Sequence, residues 1–204
     1  MEIEERSFQI ISDELGNRAV RFQGAELDIV KRAIHTTADF EYADLLAFSP
    51  DAVQSGLAAL GRGCALYADT RMILAGIHAR SCEKLGVRVF NHVADPEVAQ
   101  AARAGGTTRS AVAMQKALNN PDIRIFAIGN APTALMELVG AIQAGRVRPD
   151  LVVGVPVGFV GAEESKNLLM RQNIPYISVR GRKGGSTVAV AILNALLYRL
   201  DHER

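Results

Sequence analysis

"RIFAIGNAPTALMELVGAIQAGRVRPDLVVGVPVGF", residues 124–159, decides the fold. An apolar, β-branched run breaks at Gly129-Asn130, gives way to apolar residues at three- and four-residue spacing, and resumes as a nearly continuous apolar run after Pro149-Asp150. The period therefore switches from strand to helix and back, with turn residues at each joint. Working outward, "CALYAD" (64–69), "VRVFNHV" (87–93) and "PYISVRG" (175–181) read as further strands. "TTRSAVAMQKALNN" (107–120), "GAEESKNLLMRQN" (161–173) and "GGSTVAVAILNALLYRL" (184–200) carry the helical period between and after them. The alternation predicts an α/β fold: a single domain over residues 1–204, with a mainly parallel sheet flanked by helices on both faces. Ligands of such sheets sit at the carboxyl ends of the strands.

Composition narrows the function. A net charge of +1 over 204 residues argues against nucleic acid or a membrane surface as partner. Apolar runs stop short of the roughly 18 residues a spanning helix needs. The opening "MEIEERSFQI" lacks the order of an export signal, so a cytoplasmic location is expected. Cys64 and Cys82 show neither zinc-knuckle nor disulfide spacing. The basic residues are 18 arginines against 5 lysines. Arginine's planar fork meets carboxylates in paired hydrogen bonds, which suits a polyanionic small ligand, although a GC-rich coding bias also enriches arginine.

The strand ends carry the chemistry. "IGNAPTAL" ends a strand on Gly129 and Asn130 and opens a helix at Pro132, so free backbone N–H groups there are expected to face an anion. "VPVGFVGAEESK" and "VRGRKGGST" bring Gly158, Gly184 and Gly185 to the same rim, with Arg180, Arg182 and Lys183 interleaved. Each glycine alone reads as a tight turn; together they allow backbone to approach a large flat ligand. The dinucleotide fingerprint G-x-G-x-x-G follows no strand candidate, and "GFVGAEESK" is not a P-loop, since Ser165 precedes Lys166. No histidine pair or matched carboxylate spacing suggests a metal held by the protein.

In "KRAIHTTADFEY" (31–42), Leu27, Val30 and Ile34 form the apolar stripe of a helix, and Arg32 and His35 project away from it as neighbours three residues apart. An imidazole there, with an unperturbed pKa of about 6.5, suits proton transfer at neutral pH. A histidine in a last helical turn equally suits the terminal carbonyls, and the segment alone leaves both readings open.

The segments "ERSF", "RAIHTTADFEYADLLAFSPDAV", "GTTRSA", "AIGNAPTAL", "GVPVGFVGAEESK" and "VRGRKGGSTVAVAILNAL", in that order, resemble the precorrin-8X methylmutase family of cobalamin biosynthesis. The resemblance implies an isomerase that moves a methyl group within a tetrapyrrole from ring carbon eleven to ring carbon twelve. It assigns His35 as proton donor or acceptor and Ser7 and Arg32 as substrate contacts. It also implies a pocket lined by Thr108, Arg109 and Ser110 and by the loops around Gly129, Asn130, Gly158, Arg180, Arg182, Gly184, Gly185 and Ser186. No cofactor is implied, because any cobalt arrives in the substrate. A homodimer with the macrocycle at the subunit junction and hand-off of the product to the next pathway enzyme are expected. "HTTADFEYAD" is more similar to members acting on the cobalt-bearing ring. The rival expectation is a non-catalytic corrinoid carrier.

Overall fold

The computed structural model describes residues 2–202. Six strands, β1 (Leu46–Phe48), β2 (Ala65–Ala68), β3 (Arg88–Phe90), β4 (Ile123–Ile128), β5 (Leu151–Gly154) and β6 (Tyr176–Val179), form one sheet in the order β1-β6-β5-β4-β2-β3. Every neighbouring pair is parallel except β1 on β6, where Leu46 lies opposite Val179 and Phe48 opposite Ile177. The helices are α1 (Glu2–Leu15), α2 (Ala25–Thr37), α3 (Tyr42–Leu45), α4 (Ala52–Gly61), α5 (Arg71–Gly76) and α6 (Ala79–Leu85). They continue with α7 (Pro96–Ala104), α8 (Arg109–Leu118), α9 (Pro132–Gln143), α10 (Ala162–Met170) and α11 (Ser186–His202).

Alternation along each strand divides the core into two layers. Leu66, Ala68, Ile125, Ala127, Val153 and Ile177 face a cluster closed by α2, α4, α5 and α11. Tyr67, Phe126, Ile128 and Val152 face a second cluster closed by α8, α9 and α10. Because both faces are covered, β5 and β4 from Ile125 onward read as continuous apolar runs, and each fully buried large side chain contributes roughly 1.5–3 kcal/mol. This is the expected single α/β domain with helices on both faces.

The boundaries differ from the sequence reading in two places. The run over 150–159 leaves the sheet at Gly154, because Pro156 has no N–H for the ladder. Strand β1 was not expected. Its three residues follow directly on α3, too short a run to separate from a helical tail.

Two helices set up the site. α11 starts at the carboxyl edge of the sheet and runs down its face. α2 lies antiparallel to it, as the pair between Asp28 near the start of α2 and Arg199 near the end of α11 shows (3.2 Å). The C-terminal end of α2 therefore points to the carboxyl edge. Its buried face is Ile29, Val30, Ala33 and Ile34, with Leu27 only half-buried, so the apolar stripe is broader than the three positions read from the sequence. Among the described residues, no helix is long and apolar enough to cross a membrane.

Candidate active site

Helix α2 ends because Ala38 takes the left-handed conformation (φ 54°) and returns its N–H to the Ile34 carbonyl at 2.7 Å. An alanine held there costs about 1–2 kcal/mol. The turn is stapled by Thr37, whose hydroxyl donates to the Ala33 carbonyl (2.8 Å) and accepts from the Asp39 N–H (3.3 Å). His35 stands on the last turn, exposed, with its ring stacked on Phe8 of α1 at 5.1 Å and 21°. The imidazole nitrogens bond to no carbonyl or carboxylate among the described residues, so the terminal-carbonyl reading of this histidine is not the observed arrangement.

Arg32, one turn below, lies between two rings, 5.1 Å from the centre of Phe8 and 4.6 Å from that of Tyr198, and Glu4 reaches it at 3.4 Å. Two aromatic faces hold a guanidinium in place while leaving its edge available for hydrogen bonds. A cleft of about 610 Å³ opens beside it, lined by Phe8, Asp28, Lys31, Arg32, Tyr198 and Arg199. Ser7 is half-buried on α1 and donates to its own helix at Ile3 (2.8 Å). Its neighbour Phe8, absent from the sequence-based site, is the residue that touches both Arg32 and His35.

The loop after β4 corrects an expectation. The N–H groups of Gly129, Asn130 and Ala131 all donate to the Asp69 carboxylate, at 3.0, 3.0 and 2.9 Å. Asp69 is 2 % exposed. Burial pushes its carboxyl above the ordinary aspartate value, and the three backbone donors oppose that rise. The anion at this turn is thus the protein's own, and neither Gly129 nor Asn130 offers a free backbone N–H to a ligand, while the Asn130 side chain is exposed. Gly129 is required for a different reason: a Cβ there would meet the Ser186 backbone at 2.6 Å. Ser186, at the start of α11, shares a 2.9 Å hydrogen bond with Thr70, which also caps α5 by accepting from the Ile73 N–H. A strand ending in "YADT" carried the helix-start signal that locates Asp69 and Thr70.

The remaining loops are woven together. Gly185 donates to the Val155 carbonyl (2.8 Å) and Gly158 to the Arg182 carbonyl (3.2 Å). Gly184, at φ 152°, lies so close to the Val155 carbonyl that a Cβ would sit 2.2 Å from its oxygen. The Arg182 guanidinium covers the Phe159 ring at 5.6 Å, and Phe159 is 85 % exposed. The Arg180 N–H is taken by the Leu45 carbonyl (2.9 Å), while its side chain is exposed. From the α2 side, the Tyr42 hydroxyl reaches the Gly184 carbonyl (3.4 Å) and Asp39 pairs with Lys183. The turn that follows His35 and the loops bearing Gly158, Arg182, Gly184, Gly185 and Ser186 are thereby brought to one edge of the sheet.

Thr108, Arg109 and Ser110 lie on the opposite face. Thr108 caps α8 through the Ala111 N–H (3.1 Å) and bonds Thr133 of α9 (2.8 Å). Arg109 is exposed and pairs with no carboxylate among the described residues. No hydrogen bond, ion pair or ring contact joins these three to His35. The described residues contain no group of three or more His, Cys, Asp or Glu able to hold a metal ion.

A doubly covered, mainly parallel sheet with polar groups gathered at its carboxyl edge is the arrangement in which α/β proteins bind small molecules. The family model for precorrin-8X methylmutase matches residues 2–199, and the chain belongs to that family. Members of the family are isomerases of the methylmutase kind, and so is this chain. The cobalt-precorrin-8 methylmutase of Priestia megaterium is 45% identical, covering 98% of this chain and 88% of the relative. That of Salmonella typhimurium is 45% identical over 97% and 94%. The crystal structure of precorrin-8X methylmutase from Thermus thermophilus superposes with a TM-score of 0.90 at 43% identity, covering 99% of this chain and 97% of that one.

Proposed function

We propose that the protein converts cobalt-precorrin-8 to cobyrinate by moving a methyl group from ring carbon eleven to ring carbon twelve, with His35 as the proton donor and acceptor. The observation that carries the reading is the exposed, unbonded imidazole of His35 stacked on Phe8, a residue that also lines the Arg32 cleft, in a chain of this family. Protonation of a ring nitrogen or adjacent carbon makes the conjugated system electron-poor, so the bond from the methyl to carbon eleven breaks as the bond to carbon twelve forms. The product is an isomer, and a proton delivered at one atom is balanced by one removed at another; a single imidazole can do both. Positioned acid–base catalysis of this kind contributes about 10²–10⁴-fold. Orientation of the ring in a dry pocket supplies the rest.

A ring fringed with carboxylates needs forked donors, which Arg32, Arg180 and Arg182 present, with Arg109, on the opposite face of the sheet, contributed by the second subunit where the ring lies at the subunit junction. Gly158, Gly184 and Gly185 give the backbone close approach, and Ser7, Thr108, Ser110 and Ser186 supply hydroxyls. The two relatives named for cobalt-precorrin-8 support the cobalt-bearing ring over the metal-free one. The cobalt belongs to the substrate, and the protein requires no cofactor of its own. The active unit is a homodimer, and the product passes to the next enzyme of the pathway.

The test is His35→Ala. Turnover is expected to fall about 10²–10⁴-fold while the coloured corrin product still binds. Equal turnover by variant and wild type would remove the proton-transfer reading, whereas product binding without turnover by the wild type would leave a corrinoid carrier.

A further inference from the structure

We propose that Lys183 is a positioning residue for the reaction: its ammonium fixes the turn that carries His35 against the loops at the carboxyl edge of the sheet. The inference rests on His35 being the proton donor and acceptor. Lys183 Nζ reaches Asp39 Oδ2 at 2.5 Å and Glu41 Oε2 at 2.7 Å, four and six residues beyond His35. Asp39 is itself set within the turn, because its other carboxylate oxygen accepts the Glu41 N–H at 2.9 Å and its own N–H goes to Thr37. A pull on Asp39 therefore acts through Thr37 and the left-handed Ala38 on the last turn of α2.

The other end of the strap is anchored in the fold. The Lys183 carbonyl accepts from Lys166 Nζ at 2.6 Å, and Lys166 of α10 is fully buried. A buried ammonium is costly unless its donors are used, and this one is spent on the backbone of the loop. The next residue, Gly184, is wedged on the Val155 carbonyl and accepts from Tyr42. The loop cannot slide, so whatever its side chain holds is held in register with β5 and β6. The Lys183 side chain is 43 % exposed and its partners 28 % and 68 %. Solvent-facing pairs of this kind contribute little to stability, so what they supply is geometry.

The test uses the full-length protein with cobalt-precorrin-8 as substrate, comparing Lys183→Met, Asp39→Asn, the double variant and Lys183→Arg. Lys183→Met is expected to lower kcat about two- to fivefold, the most that solvent-facing ion pairs can bias the position of the turn. KM is expected to stay within about twofold, and Lys183→Arg to restore most of the rate. Because both residues act through one contact, the double variant should fall no further than either single one. The His35 ring resonance of the resting protein should shift in Lys183→Met and return in Lys183→Arg. Unchanged kcat in Lys183→Met, or an unmoved resonance, would overturn the proposal. So would a raised KM with effects that multiply in the double variant, which would make Lys183 a direct contact to the substrate. Full turnover in His35→Ala would overturn the parent reading, and the resonance would still report whether Lys183 fixes the turn.

Discussion

At the end of α2, His35 is exposed and its nitrogens bond to no described residue; at the end of β4, three backbone N–H groups that look equally open in the sequence all donate to Asp69. Both features stand at the same edge of one sheet. The difference lies in what each group's neighbours leave undone. Phe8 gives His35 a surface to rest on and no hydrogen bond, so the imidazole stays available for chemistry. Asp69 gives the β4 turn all it needs, so that turn is architecture. A polar group near a site is functional when the fold positions it without satisfying it.

Single substitutions separate the two regions. His35→Ala has the largest expected effect, on turnover alone: being exposed, the residue should change unfolding free energy by less than about 0.5 kcal/mol. Asp69→Ala should do the reverse in kind. It strands three backbone donors beneath the rim, and urea unfolding is expected to show a loss of about 3 kcal/mol or more. A stable Asp69→Ala protein with its binding lost would place the turn in the ligand site after all.

Smaller effects sharpen the contrast between a free cation and a committed one. Arg109 pairs with no carboxylate among the described residues, whereas Lys183 is occupied by Asp39 and Glu41. Titration with the corrin product should show Arg109→Ala weakening binding about tenfold, the worth of a hydrogen bond to a charged group. Lys183→Ala should cost less than about threefold in binding, as expected for a charge already neutralised by its own partners. Equal losses would remove the carboxylate-clamp account of Arg109.

The smallest expected effect is a pH dependence. Burial brings the Lys166 ammonium down to about 8 from its ordinary 10.5. Between those values the unfolded chain holds a proton that the folded protein has released, so this group makes stability rise with pH across that window. Below pH 8 both states are protonated and the desolvation cost is fully present. Thermal unfolding from pH 7 to 10 should show wild type gaining on Lys166→Met. A constant difference between the two would mean that Lys166 is not desolvated as the structure has it.

Much of the architecture is written in local pattern. The strand-helix-strand run over 124–159 is legible because β4, α9 and β5 each keep one period long enough to read, and Pro132 marks the helix start. Leu46–Phe48 is not, since three residues carry no period. At the site, Arg32 and His35 are visible as polar residues leaving an apolar stripe. Phe8 is not, because stacking on both of them depends on how α1 crosses α2, a tertiary fact. The same holds for Asp69, which lies 60 residues from the turn it satisfies. Glycine-rich strand ends look alike in sequence whether their amides serve a ligand or a buried carboxylate. Only packing tells them apart.

The most direct measurement is a crystal structure of the protein with its corrin product bound. The account predicts the macrocycle over the α1–α2 face, with a ring atom or bridging water within about 2.6–3.2 Å of a His35 nitrogen and a carboxylate on Arg32. A macrocycle seated away from the end of α2, with His35 facing solvent, would contradict it.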